Sequence, residues 1–291
     1  MLDVAIIGAG ELGGALAHVL ARRDVAGSIR LVDEAGQVAA GKALDIMQAA
    51  PIHGFTTRVS GATDLTAAAG ASIIAVADRA AGAAAARPVG GNPAEWQGED
   101  GLLLLRRIAR LAPRAVVVCA GFGQRDLVER GVGERLFARD RLFGSAPEAL
   151  AGAVRAVVAL ETNAAPQDVA LTVLGVPPSH LVVPWEEATI GGFAAMRLLD
   201  EPTRRRLAAR VAPLWPPGSY ALAAAAAKAI DGVAGRSRRI VCAFVAPDDQ
   251  PGRRTRTAAL PVRLGPRGIA EVLLPALSGR DRVALDNALL L

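Results

Sequence analysis

Groups that titrate near neutral pH are scarce in this chain. It has three histidines, two cysteines and one tyrosine in 291 residues. Two cysteines cannot build a disulfide framework. Cys119 and Cys242 each sit in an apolar, strand-like run (AVVVC and IVCAFV) and read as small core residues. His18, His53 and His180 are isolated, with no metal-ligand spacing, so no metal site is expected. Aromatics at 3% leave little for stacking on bases, and no nucleic-acid-binding motif is present. No apolar run approaches the ~20 residues of a membrane span. No basic stretch precedes an apolar segment at the start, so a cytoplasmic protein without a signal peptide is expected. Lysine is also nearly missing. Lys42 and Lys228 are the two, so arginine dominates the net charge of +5. Arginine barely titrates, so the pI of about 10.1 overstates the basicity.

What is present is apolar and ordered. Apolar residues make up 52% of the chain, which excludes a disordered polypeptide. The length points to about two domains. In the first half, strands are expected at Val4–Ile7, Ile29–Val32, Ser72–Ala77 and Ala115–Cys119. Helices are expected at Glu11–Arg23, Lys42–Ala50 and Leu102–Leu111. Continuous apolar strands alternating with helices imply a parallel sheet covered on both faces. Residues 80–93 (AAGAAAARPVGGNP) read as a loop at a strand's carboxyl end, where α/β sheets take ligands. After residue 140 the pattern changes. Strands are expected at Val169–Leu174, Leu181–Val183, Ile240–Val245, Ala258–Leu264 and Ile269–Leu274, with hairpin turns at Gly252–Arg253 and near Gly265–Gly268. Helices are expected at Leu222–Ile230 and Arg282–Leu290. The expected fold class is α/β: a doubly wound Rossmann domain over residues 1–140, then an α+β domain over 141–291.

VAIIGAGELGG carries the pattern G-x-G-x-x-G at Gly8, Gly10 and Gly13. Gly8 allows a tight turn, Gly10 lets the backbone approach a pyrophosphate, and Gly13 lets helix and strand pack closely. The N–H groups of Glu11 and Leu12 would face the anion at the helix start. Asp33 ends the second strand, 20 residues after Gly13, where it would bind a ribose 2′-OH and repel a 2′-phosphate. NAD is therefore the expected cofactor.

The sequence resembles the lactate/malate dehydrogenase family, nearest to its lactate-dehydrogenase-like malate dehydrogenases. The resemblance runs from IIGAGELGGALAHVLA and GKALDIMQAAPIHGF, through VSGATDLTAAAGASIIAVA and QDVALTVLG, to VPWEEATIGG, GSYALAAAAAKAI and ALPVRLGPRGIAEVLLPALSGRDRVALDNAL. It implies a nucleotide domain and a substrate domain, assembled as homodimers or homotetramers through the GKALDIMQAAPIHGF helix. It also implies hydride transfer between NAD and a 2-hydroxy acid. That chemistry needs a histidine to carry the proton, an aspartate to orient it, arginines for the substrate carboxylate and carbonyl, and an asparagine beside the nicotinamide.

The matching positions hold other residues. The histidine position is Pro177, the aspartate Gly144, the carboxylate-binding arginine Pro147 and the asparagine Ala120. Proline cannot transfer a proton and glycine cannot orient a base. Arg87, in RPVGG, matches the first loop arginine and is a candidate anion clamp. His180 is a candidate replacement acid/base, although three residues along a strand reverses the face. Ser145 has no base in view. Glu161, Glu186 and Glu187 read as surface residues, His18 as packed near the sheet, and His53 as an interface residue. The expected function is an NAD(H)-binding relative without ordinary dehydrogenase activity, serving as a sensor or non-catalytic partner of an active dehydrogenase paralogue. The alternatives are an oxidoreductase with a different acid/base, or a structural subunit with a vestigial groove.

Overall fold

The computed structural model describes residues 2–80, 94–248 and 256–291. Strands β1 (Asp3–Ile7), β2 (Ser28–Val32), β3 (Arg58–Ala62), β4 (Ile73–Val76), β5 (Val116–Cys119) and β6 (Leu142–Gly144) pair in parallel in the order β3-β2-β1-β4-β5-β6, the doubly wound Rossmann order. Between them run α1 (Glu11–Arg22), α2 (Gly36–His53), α3 (Gly98–Leu111) and α4 (Arg125–Gly133). The strand residues of β4 and β5 are buried throughout, because helices cover both faces. One face packs Ile6, Leu16, Leu20 and Phe143, and the other Ile74, Leu105, Ile108 and Val117.

The second half begins with α5 (Ala146–Thr162). It then folds β7 (Val169–Ala170), β8 (Leu174–Val176), β9 (His180–Val182), β10 (Thr189–Ile190), β11 (Phe193–Ala194), α6 (Ala195–Leu198), α7 (Glu201–Val211) and α8 (Ser219–Val233). It ends with β12 (Val241–Val245), β13 (Ala258–Gly265), β14 (Gly268–Val272) and α9 (Gly279–Ala288). Strand β12 pairs antiparallel with β6, so one sheet runs on through β12, β13, β8 and β9. The alanine-rich α8 buries Ala223, Ala226, Ala227 and Ala229. Side chains that small let it lie close against α1.

Several expectations need correction. Val169–Leu174 is two strands: β7 joins a small sheet with β10 and β11, and β8 joins the main sheet. Strand β3 escaped the apolar-run reading because, of RVSGA, Val59 alone is buried at this sheet edge. His18 is half-buried but faces the end of α2, its ring 5.8 Å from that of His53. The turn expected at Gly252–Arg253 and the candidate Arg87 lie outside the described residues. No helix among the described residues is long and apolar enough to cross a membrane.

Candidate cofactor and reaction site

The G-x-G-x-x-G segment forms the turn between β1 and α1. Gly8 takes φ +109°, a conformation open to glycine at little cost. A Cβ on Gly13 would strike the Gly8 carbonyl, so the third glycine lets helix and strand meet as expected. The first two glycines meet a different neighbour. Asp78, two residues past β4, lies against both of them, and a Cβ on Gly8 or Gly10 would collide with it. Its carbonyl accepts from Gly10 N at 2.9 Å. Its carboxylate accepts from Leu12 N at 3.2 Å through Oδ2 and from Gly13 N at 2.9 Å through Oδ1. The Asp78 residue is 7% exposed. The sequence reading expected Glu11 and Leu12 to present these N–H groups. The donors are Leu12 and Gly13, and the side chain of Glu11 is out at the surface, 3.4 Å from Ser219 Oγ.

Asp33 is likewise turned inward. Its Oδ2 accepts from Ala9 N at 2.7 Å and Ala80 N at 2.9 Å, and its Oδ1 accepts from Ala35 N at 2.9 Å. A third carboxylate, Glu95, serves the loop after β5. Its oxygens accept from Phe122 N at 3.1 Å and Gly123 N at 2.9 Å. Burial raises the Glu95 pKa above the usual carboxylate value despite these bonds, and nearby Asp78 adds to the rise. Lys42 Nζ donates to the Gly10 carbonyl at 2.6 Å.

Two of the donors that a dinucleotide pyrophosphate would take at a helix N-terminus, Leu12 N and Gly13 N, are thus taken by the chain itself. The residues at the G-x-G-x-x-G turn, with Asp78 where it stands, do not fit that group.

The positions expected to carry chemistry are buried and apolar. Ala120 follows β5 and Gly144 ends β6. Pro147 opens α5, and Pro177 follows β8; all four are buried. Phe244 on β12 lies directly opposite Gly144. A Cβ on Gly144 would sit 3.0 Å from Phe244 Cδ2, so any side chain there would press on the ring. Trp215 packs edge-on against Phe244 at 6.2 Å and against Phe122 at 6.0 Å. Ser145 is fully buried, and its Oγ has no hydrogen-bond partner. His180 is exposed on β9 opposite Val176. Glu161 pairs with Arg206 and Arg210 near the surface, and Glu186 and Glu187 are exposed. Burial pushes both the Cys119 and Cys242 thiols up to about 12, so neither is a thiolate at neutral pH. Cavities of about 520 and 610 Å³ open elsewhere, and neither is lined by a G-x-G-x-x-G residue or by Ala120, Gly144, Pro147 or Pro177.

One buried ionic group lies beside this apolar region and was not anticipated. Glu148 accepts from Arg155 Nη1 at 2.9 Å, Lys228 Nζ at 2.5 Å and Cys242 N at 2.8 Å. Burial would raise its pKa, but Arg155 and Lys228 more than offset this and hold it below the usual value. The sequence signal for Asp78 was faint. It is a carboxylate just past the carboxyl end of a central strand, where ligand loops begin. Nothing local marked Glu95 or Glu148.

No family model matches the chain. Malate dehydrogenases of Thioalkalivibrio sulfidiphilus and Thermomicrobium roseum are each 28% identical to it. The first match covers 99% of this chain and 96% of the relative, the second 98% and 94%. Among solved structures, a malate dehydrogenase of Salinibacter ruber superposes with a TM-score of 0.85 at 24% identity, over 99% of this chain and 94% of the other. A lactate dehydrogenase of Cryptosporidium parvum, complexed with lactic acid and nicotinamide adenine dinucleotide, gives 0.85 at 20% identity over the same shares. These structural likenesses establish the fold.

Proposed function

We propose that this chain, which belongs to the lactate/malate dehydrogenase family, is a non-catalytic member that keeps the scaffold without the hydride chemistry. The observation that carries this reading is the pairing of Gly144 with Phe244. An aspartate there would have to share space with an aromatic ring, and the partner position, Pro177, has no proton to give. Losing one member of such a unit costs orders of magnitude in rate. The relatives imply NAD as the family's cofactor. A nicotinamide cofactor would accept or supply the hydride in that chemistry.

A role in assembly follows. Helix α2 buries three of its residues, Ala39, Ala43 and Ile46, and leaves Leu44 61% and Ile52 83% exposed. An apolar face of that kind is expected to be covered by another subunit. The partner is a second copy of this chain, as homodimer or homotetramer, or an active dehydrogenase paralogue. A cytoplasmic location and a division into domains 1–140 and 141–291 belong to the same proposal.

The direct test is turnover with NADH and oxaloacetate, pyruvate and larger 2-oxo acids. No rate above background is expected. Turnover on the order of 1–1000 per second would overturn the reading. A second reading rests on Glu95, a buried acid of raised pKa near the lost asparagine position. Turnover that vanishes in Glu95→Gln would favour that enzyme instead.

A further inference from the structure

The geometry points to Asp78 as a built-in substitute for the cofactor's pyrophosphate, which makes the Rossmann cleft self-liganded and excludes dinucleotides. Four observations converge. First, the N–H groups at the start of α1 already have an anion: Leu12 and Gly13 donate to the two oxygens of Asp78. Second, the space is taken. Asp78 touches Gly8 and Gly10 so closely that neither could carry a Cβ. The glycines that read as room for a phosphate make room for an aspartate. Third, Asp78 is fastened by its backbone as well, through Gly10 N to its carbonyl and through the bridge between Asp78 and Glu95. Fourth, the charge is of the wrong sign. A pyrophosphate entering here would meet buried Asp78, with Asp33 and Glu95 also buried near the carboxyl ends of the strands.

The three carboxylates form one pattern. Asp33 takes the N–H of Ala9, Asp78 those of Leu12 and Gly13, and Glu95 those of Phe122 and Gly123. These donors belong to the turn after β1, the first turn of α1 and the loop after β5. Open α/β sheets hold their ligands at the carboxyl ends of such strands. Each donor there must be satisfied, by a ligand, by water or by the protein. For Ala9, Leu12, Gly13, Phe122 and Gly123 the protein does it.

The test is NADH binding, read by calorimetry and by thermal unfolding, for the wild-type chain and for Asp78→Gly. Wild type is expected to give no binding heat and no rise in Tm at millimolar NADH. Asp78→Gly should bind NADH at least about tenfold more tightly. It should start from a lower Tm, because α1 has lost its cap, and NADH should restore part of the loss. Saturable micromolar binding by the wild type would overturn the proposal. So would equal affinity in the two proteins, or a destabilised variant that NADH does not protect. If Asp78→Gly fails to fold, Asp78→Ala removes the carboxylate while adding no backbone freedom. Binding tighter than wild type supports the proposal, and equal affinity defeats it. This result is separable from the function proposed above. Slow turnover with weak NADH binding would defeat that function alone, whereas tight binding without turnover would defeat this inference alone.

Discussion

Two regions of this molecule are closed in opposite ways. At the start of α1, polar groups remain and are occupied by a polar group of the chain. At the end of β6, Gly144 carries no side chain and aromatic rings stand in the space. The difference follows from which atoms each site is made of. A proton relay consists of side chains, and replacing His, Asp or Arg by Pro or Gly deletes it outright. An anion cradle consists of backbone N–H groups at a helix terminus, which persist whatever the side chains are. Leaving such a donor buried and unpaired costs about 1–3 kcal/mol. A cradle that holds no ligand therefore needs an acceptor of its own, and Asp78 is one.

The comparison can be broken most strongly at the aromatic side. Phe244→Ala should remove about 3–5 kcal/mol of stability by opening a cavity among Gly144, Trp215 and the sheet. Urea unfolding would measure the loss, and no dehydrogenase activity should appear with it. A stable Phe244→Ala protein would mean that the ring does not fill that space.

An intermediate effect should come from pH, and it has opposite signs in the two regions. Glu148 has a depressed pKa in the folded state, so its stabilisation is full above its unfolded value of 4.5 and is lost as pH falls through the folded one. Glu95 has a raised pKa, so protonation favours the folded state as pH falls from neutral toward 4.5. A carboxyl whose folded and unfolded pKa values differ by one changes stability by about 1.4 kcal/mol across its titration. Unfolding free energies measured from pH 7 to pH 2 should therefore fall less steeply below pH 4.5 for Glu148→Gln than for wild type. For Glu95→Gln they should fall more steeply between neutral pH and 4.5. Identical slopes in all three proteins would refute both assignments.

The smallest expected effect concerns capping. Ser278 Oγ caps α9 from within its own turn, accepting from Asp281 N at 3.2 Å. Ser278→Ala should lower stability by about 1 kcal/mol without touching NADH binding. A larger loss would mean that α9 depends on its cap as heavily as α1 depends on Asp78.

Much of the fold was legible before any coordinates. Apolar runs located β1, β2, β4 and β5. Helical spacing located α1 and α3, and the G-x-G-x-x-G pattern located the turn between β1 and α1. What escaped is instructive. Strand β3 lies at a sheet edge and keeps one buried residue, so periodicity had little to show. Helix α5 opens with Ala146–Pro147 where the family pattern asked for catalytic groups, and its buried Glu148 reads locally as a surface acid. Its partners, Lys228 and Cys242, are 80 and 94 residues away.

That Pro177, Gly144, Pro147 and Ala120 carry no acid, base or cation was decided by the sequence alone, because a missing side chain is missing in any fold. The glycine turn and its N–H donors were also local, since a strand, three spaced glycines and a helix fix where those groups point. Which acceptor meets them was not local. Asp78 is 65 residues from Gly13 in the chain and 2.9 Å from it in space. The glycine pattern reads the same whether a phosphate or a carboxylate lies against it. The pairing of β1 with β4 brings Asp78, two residues past β4, to the first turn of α1, and that tertiary contact decides what the cradle holds.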